Sequence, residues 1–431
     1  MNKITILIDS LRKHTGGIAS IFDMATTLST LGNEVHLGLI SFDPLYIYRR
    51  QQLVREKFDS EIKIHYTPSY KKNLIRVNTL TYFFKILIPN IKQCILMPSK
   101  ITIRNVLESI LVLVDLNKNK IFEDILAQSS IIIMAAPFSG KELAALRNKT
   151  KAIIMRNHAG SPQTFEQYWL RKEHLRDDAD PELSPYVNFC LSFDKILFQA
   201  EDQAADCASR HPGLPDRIVT ILPSCDEDLV KKSSRLPSPF DNGSRILINV
   251  GTLQPRKAQH LSIEAFAKIA DDYPDLQLHF LGSWRGRTTY YSRLLQLVED
   301  NGLKYRVFFH GHRDDHIRFM HHADILVQTS QAEGVSRVLR EAMFMRLPIV
   351  SFDIPGTRDI LKNNREALLV RPNDTVAMSH SIATLLSDKS RSRSLCKAAF
   401  EKYQLKHSRR VYAANLQKMI QDIVVNAKLF S

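Results

Sequence analysis

No run of eighteen apolar residues occurs anywhere in the 431-residue chain, so no membrane-spanning helix is expected. The first residues, MNKITILIDS, hold too short an apolar run for a signal peptide and read as a buried strand. Cysteine is scarce. The five present (Cys94, Cys190, Cys207, Cys225, Cys396) are scattered, odd in number and without metal spacing. That argues against a disulfide framework or zinc site and suits a reducing cytoplasm. No internal repeat, low-complexity segment or nucleic-acid-binding motif stands out.

What is present is the composition of a soluble globular protein, 44% apolar and 24% charged. The length suffices for two domains of ordinary size. The net charge is +14, which suits nucleic acid, an anionic membrane face or phosphorylated substrates. The basic residues are dispersed, so nucleic acid is not expected as a partner.

The chain alternates strand and helix. Ile4–Ile8 is an apolar β-rich run. A loop leads to Gly16-Gly17, then a helical pattern covers Ile18–Leu31, and Glu34–Ile40 is a second strand. This is a βαβ unit with a parallel sheet, and its loop lies where open α/β sheets bind ligands. Gly16 and Gly17 permit close backbone approach, though they do not form the G-x-G-x-x-G dinucleotide fingerprint. Ser130–Ala135, Lys151–Arg156, Lys195–Gln199 and Ile218–Leu222 read as further strands. His158 follows one of them, at a cleft-facing strand end; a plain loop histidine is the alternative. Glu61–Leu116 mixes Tyr82, Phe83 and Phe84 with Lys71, Lys72, Arg76, Lys85 and Lys92. It reads either as ordinary helices or as a membrane-contacting face. Pro223–Ser244 contains Pro237, Pro239, Asn242 and Gly243 with mixed charge and little periodicity, and reads as a linker.

Arg245–Val250 opens the second half as a strand. Arg256 and Lys257 follow in a strand-to-helix loop, placed for a diphosphate, with a helix from about Leu261 to Ala270. In isolation such a pair is ordinary solvated surface. Two later strands end in Gly282 and in His310-Gly311-His312. The histidines from His310 to His322 fit no defined metal site. Two D-x-D strings, Asp178-Ala179-Asp180 and Asp226-Glu227-Asp228, lie in loop-like acidic stretches and arise easily by chance. Thr375–Leu386, Lys389–Lys402 and Ser408–Val425 read as helices.

The most informative stretch is Ala332–Met345, AEGVSRVLREAMFM, between strands Ile325–Gln328 and Pro348–Phe352. A loop through Gly334 leads into a helix from about Ser336. Glu333 and Glu341 then sit roughly 12 Å apart along the axis, with Glu341 leaning back toward the loop. The junction at Gly334, Val335 and Ser336 offers unpaired N–H groups and a positive dipole end that suit a phosphate. One carboxylate can take hydroxyls on one side of a diphosphate and the other on the far side, which describes a nucleotide sugar. The plain alternative is an amphipathic helix with two surface glutamates.

Strand, Glu-Gly, helix, strand resembles the donor-site element of retaining glycosyltransferases of family 4, which have the GT-B fold. GGI…LSTLGNEVHLGLI looks like the opening of that family's acceptor-side domain. The resemblance covers most of the chain, strongest from Ile246 to Leu361 and weakest from Phe42 to Ile125. It implies an α/β GT-B architecture of two Rossmann-like domains facing across a cleft. Residues 1–223 would be the acceptor-side domain, 224–244 a linker and 245–405 the nucleotide-sugar domain. Residues 406–431 would form a terminal helix crossing back. The activity implied is transfer of a sugar from a nucleotide diphosphate sugar to a hydroxyl of a glycan or lipid-linked acceptor, with retention. The setting implied is bacterial surface polysaccharide assembly in the cytoplasm, with an anionic membrane face as a further candidate partner.

By this resemblance, catalytic roles fall on His158, Arg256, Lys257 and Glu333. Donor binding falls on Gly16, Gly17, Arg256, Lys257, Gly282, His310, Glu333, Gly334, Val335, Ser336 and Glu341. Lys257 matches the family's phosphate-binding lysine. The arginine usual after the first glycine is Thr252 here, and Arg256 is taken to supply that charge. Ser224-Cys225-Asp226 replaces the usual Asn-Gly pair, so no role is carried to it. No metal or cofactor is expected, because fixed positive groups meet the leaving diphosphate. Two rivals stand beside this reading. One is another GT-B enzyme, an inverting transferase with His158 as base or a nucleotide-sugar epimerase. The other is a non-catalytic carbohydrate- or nucleic-acid-binding protein, favoured by charge alone.

Overall fold

The computed structural model describes residues 2–8, 16–39, 63–66, 128–134, 152–156, 185–240, 243–284, 286 and 288–429. The first sheet holds β1 (Lys3–Ile8), β2 (Glu34–Leu39), β3 (Lys63–Tyr66), β4 (Ile131–Met134), β5 (Ala152–Arg156), β6 (Lys195–Phe198) and β7 (Ile218–Thr220). Its order is β3-β2-β1-β4-β5-β6-β7, with every pairing parallel. The runs IIIM of β4 and AIIMR of β5 are buried throughout. Continuous burial, rather than alternation, is what a parallel strand covered on both faces requires.

The second sheet holds β8 (Arg245–Val250), β9 (Leu276–Leu281), β10 (Val307–Phe309), β11 (Ile325–Gln328), β12 (Ile349–Phe352) and β13 (Leu368–Val370). Its order is β10-β9-β8-β11-β12-β13, again all parallel. Both sheets are thus doubly wound, as expected of a GT-B protein. Strand order reverses between β8 and β11. Open α/β sheets take ligands at that switch point, beyond the carboxyl ends of the strands. The loops leaving β8 and β11 flank it.

The helices that matter below are α1 (Gly16–Thr30), α2 (Glu227–Ser233), α3 (Gln259–Ala267), α4 (Thr288–Asp300) and α5 (His316–His321). They continue with α6 (Arg337–Met345), α7 (Thr375–Ser387), α8 (Lys389–Lys406) and α9 (Arg409–Leu429). Neighbouring residues of β8 point to opposite faces, Leu247 into one core and Ile248 into another. In α9, Tyr412, Leu416, Met419, Ile420 and Ile423 share a core with Ile4, Ile6, Ile131 and Ile133. The chain therefore completes the second sheet and returns to pack on the first.

One expectation is corrected. The stretch read as linker contains α2, capped by Asp226, whose Oδ1 accepts from Leu229 N at 3.0 Å. Cys225 and Val230 are buried in the core of the second sheet. With so few apolar positions, periodicity does not reveal this helix; the local cap hydrogen bond and tertiary burial hold it. One D-x-D string is absorbed in the same place. Asp226 is the cap, Asp228 pairs with Arg409, and Glu227 accepts from Tyr403 Oη at 3.0 Å and Arg409 N at 2.8 Å. The other string, Asp178–Asp180, lies outside the described residues, as does most of 61–116.

Candidate functional site

Three loops meet at the strand ends. Gly251 N donates to Leu281 O at 2.8 Å, and Gly282 N donates to Gly311 O at 2.7 Å. A Cβ on Gly282 would lie 1.9 Å from Gly251 O, so only glycine allows this approach. Beyond β8, Pro255–Lys257 forms one 3₁₀ turn, and Ala258 takes a left-handed conformation at φ 47°. For a non-glycine residue that costs about 1–2 kcal/mol. Tertiary bonds hold it. Thr329 Oγ1 donates to Ala258 O at 2.9 Å, Ser262 Oγ lies 2.9 Å from that hydroxyl, and Asn249 Nδ2 donates to Val327 O at 2.9 Å. This buried network joins β8, α3 and the end of β11 into one support.

The loops from β8 and β11 then bring basic and acidic groups together. The Lys257 ammonium pairs with Glu333 Oε1, which also accepts from Gln328 Nε2 at 2.9 Å. The Arg256 guanidinium donates to Ala332 O and stands 4.0 Å from Glu333 Oε2. Ser336 caps α6, and its hydroxyl donates to Gln328 Oε1 at 3.4 Å. A Cβ on Gly356 would lie 2.4 Å from the carbonyls of both Glu333 and Gly334, so the turn after β12 backs this loop directly.

Glu341 lies one helical stretch deeper and is wholly buried. Arg337 Nε donates to its Oε1 at 2.8 Å. Oε2 is 3.4 Å from His316 Nε2 but makes no hydrogen bond among the described residues. Burial by itself would raise the Glu341 pKa; His316 and Arg337 overcome it and hold the carboxyl down at about 2. Arg337 also stands 4.0 Å from Asp23 Oδ2 on α1, which links α6 to the first sheet's helices. Behind it, the buried Arg340 donates to Ser224 O and Ser336 O, each at 3.3 Å.

Of the residues singled out from sequence, Arg256, Lys257, Glu333, Gly334 and Ser336 converge at one place. Val335 packs on the core beside them. Gly16 and Gly17 begin α1. His158 lies outside the described residues. His310 is engaged elsewhere: its Nε2 is 2.8 Å from His279 Nδ1, and His279 Nε2 is 3.0 Å from Gln277 Oε1. Burial lowers the pKa of both rings, taking His279 to about 3. The histidine run is therefore dispersed among different partners, with His322 on Leu236 O at 2.8 Å. No group of three metal-ligating side chains occurs among the described residues. Sequence reasoning missed Gln328, Arg337, Gly356 and Asp23, and noticed His316 only as a metal candidate. Arg337 alone carried a signal, its i, i+4 spacing to Glu341.

Residues 230–402 match the family "Glycosyl transferases group 1". Over that stretch the chain is similar to group 1 glycosyltransferases. It is 26% identical over 201 residues to a D-inositol 3-phosphate glycosyltransferase from Mycobacterium sp. (strain KMS), covering 45% of each chain. It is 27% identical over 174 residues to the lipopolysaccharide core biosynthesis glycosyltransferase LpsE of Rhizobium meliloti, covering 40% of this chain and 48% of that one. The matches thus span about half the length of these curated relatives. Similarity of fold extends further than similarity of sequence. The crystal structure of Anabaena Alr3699/HepE in complex with UDP and glucose superposes with a TM-score of 0.68 at 17% identity, covering 98% of this chain and 100% of that one. The matched stretch, residues 230–402, contains the whole Lys257–Glu333–Glu341 constellation.

Proposed function

We propose that this protein is a retaining glycosyltransferase that moves a sugar from a nucleotide diphosphate sugar to a hydroxyl of a glycan or lipid-linked glycan. One observation carries the reading: Arg256, Lys257 and Glu333 converge at the switch point of the second sheet, beside the capped start of α6. Basic side chains and the positive end of a helix there suit a diphosphate, while Glu333 suits sugar hydroxyls. Glu341, ionised and with one oxygen that has no hydrogen bond among the described residues, suits the ribose hydroxyls. The relatives' names, which print glycosyltransferase, support sugar transfer, and the UDP complex of the Anabaena protein supports such a donor.

The bond between the sugar's anomeric carbon and the phosphate oxygen breaks as the acceptor oxygen bonds to the same face. The acceptor's proton passes to the departing phosphate oxygen. Negative charge grows on the diphosphate, and Arg256, Lys257 and the start of α6 stabilise it in place of a metal ion. By the family resemblance, His158 is given a role near the sugar or the acceptor. The work would take place in the cytoplasm, at or near the inner membrane face, in surface polysaccharide assembly. The test is a screen of nucleotide sugars by thermal shift and nucleoside diphosphate release, followed by NMR of the product. Release with an inverted anomeric centre would refute retention. No release from any donor would refute the transferase reading.

A further inference from the structure

Between residues 389 and 410 the chain has eight basic residues and one acid, Glu401. That net +7 is half of the protein's +14. The structure sorts this charge. Lys402, Lys406 and Arg409 are paired with Glu366, Glu201 and Asp228. Lys389, Arg393 and Lys397 are exposed and stand at i, i+4 and i+8, so they form one line along α8. Like charges at this spacing destabilise the helix itself, so the line has no folding rationale. Among the described residues Lys397 reaches only Glu401, at 4.0 Å.

The neighbouring elements extend the line. Phe400 continues it and is half-buried. The Arg346 guanidinium lies 4.2 Å over the Phe400 ring, Phe344 lies 6.1 Å from Phe400, and Lys231 stands 5.9 Å over Phe344. Arg346 ends α6 at φ 58°, a left-handed position where glycine sits without strain. An exposed arginine is kept there, with no ion pair among the described residues. We propose that the face formed by Lys389, Arg393, Lys397, Arg346 and Lys231 docks on an anionic phospholipid bilayer. Dispersed cations on a convex helix face, with aromatic rings just beneath, match a sheet of phosphate headgroups. Nucleic acid is disfavoured, because Phe344 and Phe400 pack on each other beneath the cations and leave no platform for a base. This docking is independent of the transferase reading, since it concerns a surface away from Lys257 and Glu333.

The test is co-sedimentation of the full chain with vesicles of phosphatidylcholine, alone or with roughly a third phosphatidylglycerol, at low and high salt. Binding to the anionic vesicles only, weakened by salt, is expected. Each base near such a surface is worth roughly fivefold in partition, so Lys389→Ser/Arg393→Ser/Lys397→Ser should lower it roughly a hundredfold. Arg346→Gly should lower it roughly fivefold while raising Tm, which separates lost docking from lost folding. Lys268→Ser/Lys304→Ser, at exposed sites off α8, should bind as the parent does. Unchanged partition of the triple variant, an equal loss in the Lys268/Lys304 control, or equal binding to neutral vesicles would overturn the proposal. So would tighter binding of a single-stranded oligonucleotide through the same residues.

Discussion

Arg337→Met removes a cation from beside a carboxylate that water does not reach. Glu341 is 0% exposed, and its pKa falls from the ordinary 4.5 to about 2, with burial opposing and His316 and Arg337 driving the fall. One pKa unit corresponds to about 1.4 kcal/mol, so the ionised form gains about 3 kcal/mol net. Removing one partner from a buried pair costs about 3–5 kcal/mol. His316 remains, so the expected loss at neutral pH is about 2–4 kcal/mol. A depressed pKa sets the sign. The contribution is complete above the unfolded value of 4.5 and disappears as pH falls through about 2. The gap between parent and variant should therefore narrow on acidification. Glu341→Gln in the same chain removes the orphaned charge and should restore most of the loss, a double-mutant cycle with strong coupling. Urea unfolding of parent, both single variants and the double variant, at neutral and acid pH, measures all of this. A double variant no more stable than Arg337→Met, or a gap that ignores pH, would refute the reasoning.

Lys257→Ala should leave the protein folded and lose most nucleoside diphosphate release, and Glu333→Ala should weaken binding of the nucleotide sugar more than of the bare nucleotide; full turnover in both would defeat the donor-site assignment. Gly282→Ala and Gly356→Ala place a Cβ 1.9 Å and 2.4 Å from backbone carbonyls. Each should lower Tm by several degrees or more, because a backbone neighbour cannot swing aside as a side chain does; an unchanged melting curve would show that these loops yield. Turnover should survive a chelator, and its loss with recovery on adding manganese or magnesium would revive metal-assisted chemistry.

What the sequence determined by itself was local. Short β-branched runs and 3.6-residue periodicity marked the strands and long helices, because both are set by neighbours in the chain. The Glu-Gly pair between β11 and α6, and the basic pair after β8, were legible for the same reason: each belongs to a strand-to-helix loop. Tertiary structure decided which of these groups meet. Lys257 and Glu333 are 76 positions apart and become partners only because β8 and β11 lie side by side. Gly282 and Gly356 look like ordinary turn glycines until another loop's backbone is laid against them. His316 and Arg337 make Glu341 an ionised buried group, and only one of them is near it in sequence. The helix α2 escaped periodicity because seven residues carry too little pattern, and burial against a distant core stabilises it. Pairing and burial depend on strand order, which no local run of residues encodes, so the chemistry was readable as a set of parts and its assembly was not.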